Sequence, residues 1–175
     1  IITEEDIPVL LSVGKDHIYI WENNENMLHE NDAAKILYDM CANEHMRPSE
    51  IKEGKIELIA ECDGLLKVDT ERLNAVNAFG EMMIACRHGN FPVKKGDKIA
   101  GTRIIPLVIE KEKMERAKKV AGDDPIFQLI PFKKMKAAIV NTGNEVFYGR
   151  IKDTFTPVII EKLKEYGAEV VGHVV

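Results

Sequence analysis

Apolar positions recur along the chain at two spacings, and each spacing predicts a different element. In "DAAKILYDMCAN", Ala33, Ile36, Leu37, Met40 and Cys41 return every three or four residues, the period of a helix with one buried stripe. "DTERLNAVNAFG" repeats the pattern at Leu73, Val76 and Phe79, with Asp69 or Thr70 as N-cap and Gly80 as stop. "EKEKMERAKKVAG" places Met114, Ala117 and Val120 inward, ends on Gly122, and carries i,i+4 charge pairs on its solvent face. Near the start, "TEEDIPVLLSVG" sets Thr3 and Asp6 close to capping-box spacing, with acids in the first turn and Gly14 at the end.

Between these helices the chain is β-like. "HIYIW", residues 17–21, has strand composition, and "KIELIAECDGLLKVD" puts Asp63-Gly64 between two apolar runs, the mark of a hairpin. "EMMIAC" and "RIIPLVIE" are expected strands joined by the turn-containing link "FPVKKGDKIAG", with Pro106 at an edge or bulge because it cannot donate to a ladder. "GDDPIFQLIPFKKMK" holds two prolines, an acidic pair and three lysines, and places a domain junction near Pro131.

Residues 1–131 are therefore expected to form an α+β accessory region. Residues 132–175 switch to strand, polar turn, helix and strand, the first β-α-β of a parallel sheet, so the fold class is α/β overall. In this second part Asp153, or Thr156 followed by Pro157, caps a helix whose inner face carries Phe155, Ile159, Leu163 and Tyr166. Gly167 ends that helix before a strand at 168–175. The run 137–140 expects helices on both faces of its sheet, so the segment should pack on residues 1–131, pair with a second copy, or continue into further chain. Ile1-Ile2 is no translation start and the last strand has no tail, which predicts a piece of a longer protein.

Composition narrows the classes. Apolar residues at 45% and charged residues at 30% are those of an ordinary globular chain. A formal charge of −5 argues against a nucleic-acid surface. The three cysteines, Cys41, Cys62 and Cys86, are an odd number without a close pair, which favours free thiols and a cytoplasmic setting. No apolar run reaches the ~20 residues of a membrane span, and no signal peptide is visible.

The stretch that carries chemistry is "KAAIVNTGNEV". In open parallel sheets ligands bind beyond the carboxyl ends of strands, which is where Asn141, Thr142, Gly143, Asn144 and Glu145 fall. Gly143 is expected to supply an unusual backbone conformation and close approach to a ligand. The loop contains neither G-x-G-x-x-G nor a P-loop pattern. Its acids, Glu145 and Asp153, suit Mg²⁺ or a hydrogen-bond donor better than a bare phosphate. Cys86 and His88 lack the further ligands of a metal site. Arg103, and Lys133, Lys134 and Lys136, are weaker anion-binding candidates that an exposed strand start and a solvated linker explain better.

"TGNEV…GRIKDT…IIEKLKEYGAEVV" resembles the start of the molybdenum-cofactor biosynthesis domain found in molybdopterin molybdotransferases and adenylyltransferases (the MoeA and MogA types). Thr142, Gly143, Glu145, Gly149, Ile151, Asp153, Thr154 and Gly167 match its pattern, over roughly the last 40 residues. Asn144 stands where that family has an acid and Phe155 where it has Asn, and the family's later acidic turn and Gly-Gly-x-Ser/Thr-Gly loop have no counterpart up to Val175. The resemblance implies the first part of a parallel-sheet molybdopterin-binding domain, truncated and inactive by itself. Its parent would be a multidomain, molybdotransferase-like protein that inserts molybdate into molybdopterin or its adenylylated form. Thr142, Gly143, Asn144, Glu145 and Asp153 would then contact the cofactor, with Glu145 and Asp153 holding Mg²⁺. Two other classes stay open: a non-catalytic molybdopterin carrier or sensor, and a protein-interaction role for residues 1–131. A homo-oligomer is compatible with all three.

Overall fold

The structure is a computed structural model of the chain and describes residues 2–17 and 24–175. The strand expected at 17–21 falls mostly on 18–23 and lies outside the described residues. A 3-10 turn, Glu4–Asp6, leads into α1 (Ile7–Ser12), followed by β1 (Met27–His29), α2 (Glu30–Asp39), β2 (Met46–Pro48) and β3 (Lys55–Ala60). Next come β4 (Gly64–Val68), α3 (Thr70–Asn77), β5 (Met82–Cys86), β6 (Phe91–Val93), β7 (Lys98–Ile104) and β8 (Val108–Glu110). The chain continues through α4 (Lys111–Ala121), β9 (Phe127–Pro131), β10 (Lys136–Val140), α5 (Asn144–Phe147), α6 (Phe155–Glu165) and β11 (Glu169–Val174).

The fold is mixed α/β, with mostly antiparallel sheets. One sheet has the order β2-β3-β7-β5, a second the order β6-β4-β9, and β1 pairs with β8. Alternation drives the burial. Ile56 and Leu58 of β3 and Thr102 and Ile104 of β7 turn inward, while Lys55 and Arg103 turn outward. α2, with Leu37 buried, packs on that sheet and against α4, and Met114, Ala117 and Ala121 of α4 and Phe127 and Leu129 of β9 belong to the same buried core. Each fully buried Leu, Ile, Met or Phe among these contributes roughly 1.5–3 kcal/mol relative to exposure.

Capping is where local sequence acts most directly. The Thr3 N–H and hydroxyl both donate to Asp6 Oδ2 at 2.9 Å. Asp69 Oδ1 accepts the Arg72 N–H at 3.0 Å at the start of α3, which settles the cap on Asp69. Gly80 and Gly122, both at positive φ, end α3 and α4 as expected.

Several expectations are overturned. Asp63-Gly64 does not join a hairpin: β3 pairs with β2 and β7, and β4 with β6 and β9. The chain leaves one sheet and enters the other there, with Asp63 Oδ1 accepting the Lys95 N–H at 2.7 Å. "RIIPLVIE" is two strands rather than one, because Pro106 interrupts the ladder between β7 and β8. "FPVKKGDKIAG" is not merely a link; it holds β6 and the first part of β7. Val120 is 41% exposed and Ala121 takes the inward position, since positions 114, 117 and 121 share a helix face that 120 misses. β9, whose Phe127 and Leu129 are core residues, ends at Pro131, the position where the junction is expected.

Residues 132–175 form strand, short helix, helix and strand, with β10 and β11 parallel and a register shift between Ala137 and Ala138. Ala137, Ile139, Ile159, Ile160 and Leu163 are half-buried. The opposite sheet face has no helix over it among the described residues: Val140 is 71% exposed and its cross-strand partner Val174 60%. Phe155, expected inside, is also exposed; Thr156 is the buried residue at that end of α6. Phe132 donates its N–H to the Asp63 carbonyl at 3.2 Å, and its ring meets Tyr166 edge-on at 5.3 Å; with Glu165 these rings line a cleft shared with Asp63, Pro92, Val93 and Lys94 of the first part of the chain.

Candidate functional site

β10 ends at Val140, and the Asn141 N–H donates to the Val174 carbonyl at 2.9 Å, extending the parallel ladder by one bond. The chain then turns across the carboxyl edge of the strand pair. Thr142 and Asn144 are exposed, and their side chains make no hydrogen bond among the described residues. The expected polar turn is partly helical: Gly143 is the N-cap of α5 and accepts the Phe147 N–H at 2.9 Å.

Gly143 acts differently from the expectation. Its φ of −176° is extended backbone open to any residue, so conformational freedom is not why glycine stands there. A Cβ at 143 would lie 3.0 Å from Glu145 Oε1 and 3.3 Å from its Cδ, the far end of an exposed side chain that can swing aside, so a larger residue fits there with a small shift of that carboxylate. The Glu145 carbonyl accepts the N–H groups of Arg150 and Ile151 at 2.8 and 3.2 Å, closing the turn in which Gly149 adopts a φ of 65°.

Asp153 caps α6. Its Oδ1 accepts the N–H of Phe155 and of Thr156, both at 3.0 Å, and the sequence's alternative cap, Thr156-Pro157, is already inside the helix. The Thr156 hydroxyl and N–H, with smaller contributions from the Asn141 side chain and the Phe155 N–H, hold the Asp153 carboxyl down to about 2. The Thr156 hydroxyl, 3% exposed, faces the carboxylate without completing a hydrogen bond to any group, so the backbone N–H bond is the firmer contribution. Asp153 is therefore a carboxylate over the whole physiological range.

The structure thus brings Thr142, Gly143, Asn144, Glu145 and Asp153 to one edge of the β10–β11 pair. What the sequence reading missed is aromatic. Phe147 and Tyr148 stack edge-on at 5.2 Å, and the Arg150 guanidinium lies 5.4 Å from the Tyr148 ring centre. The signal was present in "VFYGR", two adjacent rings and a cation on a short loop.

The other candidates do not assemble. No group of three His, Cys, Asp or Glu side chains that could hold a metal ion occurs among the described residues. His88 Nδ1 lies 2.7 Å from the Gly89 carbonyl and its ring packs on Phe91, a structural role. Arg103 lies on the outer sheet face in register with Lys55 and Met83. Lys133 and Lys134 border a small cleft with Asp63, Phe132, Glu165 and Tyr166. No helix among the described residues is long and apolar enough to cross a membrane.

A family model described as a domain of unknown function (DUF8806) matches residues 1–22. No curated protein and no solved structure matches the chain.

Proposed function

We propose that residues 132–175 are the first part of a parallel-sheet molybdopterin-binding domain, and that the protein acts in molybdenum-cofactor assembly in the cytoplasm. The observation that carries this reading is the joint placement of Thr142, Gly143, Glu145 and Asp153 at the carboxyl edge of β10, beside the capped N-terminus of α6. Each holds its position in the sequence pattern that the segment resembles.

The activity would be insertion of molybdate into molybdopterin or its adenylylated form, by positioning and charge neutralisation. For Mg²⁺, the protein offers two acids rather than a cage. Asp153 spends Oδ1 on the helix cap, and Glu145 lies over Gly143. That donor set fits an ion held by one or two carboxylates, water and the ligand's own phosphate. Glu145 and Asp153 are the residues that would hold it, and the ion would supply neutralisation of the ligand's anionic groups.

A second reading, a molybdopterin carrier or sensor without catalysis, has one observation in its favour. Phe155 puts an exposed ring, rather than a polar side chain, at the start of α6.

The test is anaerobic calorimetry with molybdopterin on the wild-type chain and on Glu145→Ala. Wild-type binding that weakens in the variant at an unchanged melting temperature supports the assignment. Glu145 is exposed, so the substitution has little packing to lose, within about ±0.5 kcal/mol. A variant that melts far lower but binds normally per folded molecule makes Glu145 structural and removes the site as drawn.

A further inference from the structure

A cleft of about 290 Å³ opens where the two parts of the chain meet. One wall comes from the first part: Asp63, just before β4, and Pro92, Val93 and Lys94 at the end of β6. The other comes from the second: Phe132, after β9, and Glu165 and Tyr166 at the end of α6. A smaller lobe of about 180 Å³ shares Asp63, Phe132, Glu165 and Tyr166 and adds Lys133 and Lys134. Small-molecule sites begin at roughly 300 Å³, so a ligand here is compact.

Three chemistries line this space. The apolar one is a corner: the Phe132 and Tyr166 rings stand at 88° to each other, with Pro92 beside them and Tyr166 45% exposed. The negative one belongs to the wall that both lobes share. Asp63 spends Oδ1 on the Lys95 N–H at 2.7 Å, and the Glu165 carboxylate forms no ion pair among the described residues. Glu165 is also the last residue of α6, at the negative end of that helix, where an acid is disfavoured unless a cation accompanies it. The positive chemistry lies at the margins, Lys94 in the larger lobe and Lys133 and Lys134 in the smaller. None of these three ammonium groups pairs with Glu165 or Asp63. Both signs therefore stand unspent around an apolar corner. A purely cationic ligand would meet the lysines, and a purely anionic one the carboxylates; a zwitterion satisfies both.

We propose that this cleft binds a free α-amino acid with an aromatic side chain. Its ammonium sits at Glu165 and Asp63 Oδ2, and its carboxylate faces Lys133 and Lys134 in the smaller lobe. Its ring fills the corner of Phe132, Tyr166 and Pro92, where the Lys94 ammonium complements the aromatic face. Because the walls belong to different parts of the chain, the bound amino acid fastens residues 132–175 to residues 1–131 and shields the link at Lys133 and Lys134. The site uses none of Thr142, Gly143, Asn144, Glu145 or Asp153, so it stands or falls apart from the molybdopterin reading.

Calorimetric titration of the full chain with L-phenylalanine tests it, alongside partial probes: 3-phenylpropionate lacks the ammonium, phenethylamine the carboxylate and L-alanine the ring. L-Phenylalanine is expected to bind, and each partial probe at least about tenfold more weakly, for the loss of one charge-assisted contact or of the buried ring. Glu165→Gln should weaken L-phenylalanine by a similar factor and leave 3-phenylpropionate no weaker, a split that a merely structural role would not produce. Replacing both Lys133 and Lys134 by Met should remove the advantage over phenethylamine. These residues are exposed, so the variants should keep the wild-type urea midpoint. Saturating L-phenylalanine should slow tryptic cleavage after Lys133 and Lys134 in the wild type. Phenethylamine that binds as tightly as L-phenylalanine overturns the amino-acid assignment. L-Phenylalanine binding that Glu165→Gln leaves unchanged places the ligand elsewhere and overturns the site. No binding of L-phenylalanine by the wild type at millimolar concentration overturns the inference.

Discussion

Asn77 and Ile84 exchange two hydrogen bonds: the Asn77 side-chain amide donates to the Ile84 carbonyl at 2.9 Å, and its oxygen accepts the Ile84 N–H at 2.8 Å. Ile84 is the middle residue of β5, an edge strand of the four-stranded sheet, so the side chain imitates the neighbouring strand that β5 lacks. Asn77→Ala should destabilise the protein by about 1–2 kcal/mol, because both backbone groups lose a half-buried partner. It should also raise self-association at high concentration by opening the edge. Urea titration and light scattering test the two effects, and an unchanged midpoint would show that water replaces the amide without loss.

Arg72 clamps the end of α4 to the start of α3. Its guanidinium donates to the carbonyls of Ala121, Asp124 and Pro125 at 2.5, 2.6 and 3.3 Å, and its Nε to Asp69 at 2.8 Å. Lysine cannot reproduce that fork. Arg72→Lys is expected to lower stability by roughly 1–3 kcal/mol, nearly as much as Arg72→Met, since each leaves carbonyls unpaired. If lysine instead recovers the wild-type urea midpoint, charge rather than the fork is what matters.

The Cys41 thiol lies within the core, where burial first and the neighbouring Cys86 second push it up to about 12 from an ordinary 9.0. A raised folded value means stability that is complete below pH 9 and declines as pH rises from there toward 12, because only the unfolded chain releases the proton. The slope is roughly 1.4 kcal/mol per pH unit at most. Cys41→Ala should flatten the alkaline decline in the unfolding midpoint. At pH 8 a thiol reagent should label exposed Cys86 first and Cys41 only on unfolding.

Asp153 works in the opposite sense. Its folded value of about 2 lies below the ordinary 3.8, so its contribution to the helix start is present above pH 3.8 and lost as pH falls through 2. The Thr156 amide proton should exchange faster across that acid window in the wild type. Asp153→Ala should show the fast exchange at neutral pH, and Asp153→Asn should not. Equal protection in all three at pH 7 would mean that the cap does not hold this end of α6.

Helices and their stops were legible in the sequence because they depend on neighbours: Asp69, Gly80, Gly122 and Asp153 act within a few residues of themselves. Sheet partners were not. Asp63-Gly64 announces a change of direction and says nothing about which strand receives the chain, and β6 was hidden because Pro92 lies inside it. The candidate site was legible as a location, since a polar turn after an apolar run is a local pattern. The conformation of its glycine was not: Gly143 takes an extended φ of −176°, which residue type alone does not signal. The exposure of Phe155 was misread because the helix begins two residues before Pro157, which rotates Thr156 inward and the ring out.

The pairing of β4 with β9 has a consequence for synthesis on the ribosome. Gly64 through Val68 reach one of their partners, Phe127 through Pro131, only after roughly sixty further residues. At ~5–20 residues per second, one side of β4 waits several seconds with its backbone groups unpaired. In the same interval the shared core still lacks Phe127 and Leu129. A nascent chain stalled before Phe127 would therefore present a nearly finished sheet with an open core, the form in which a chaperone would find it.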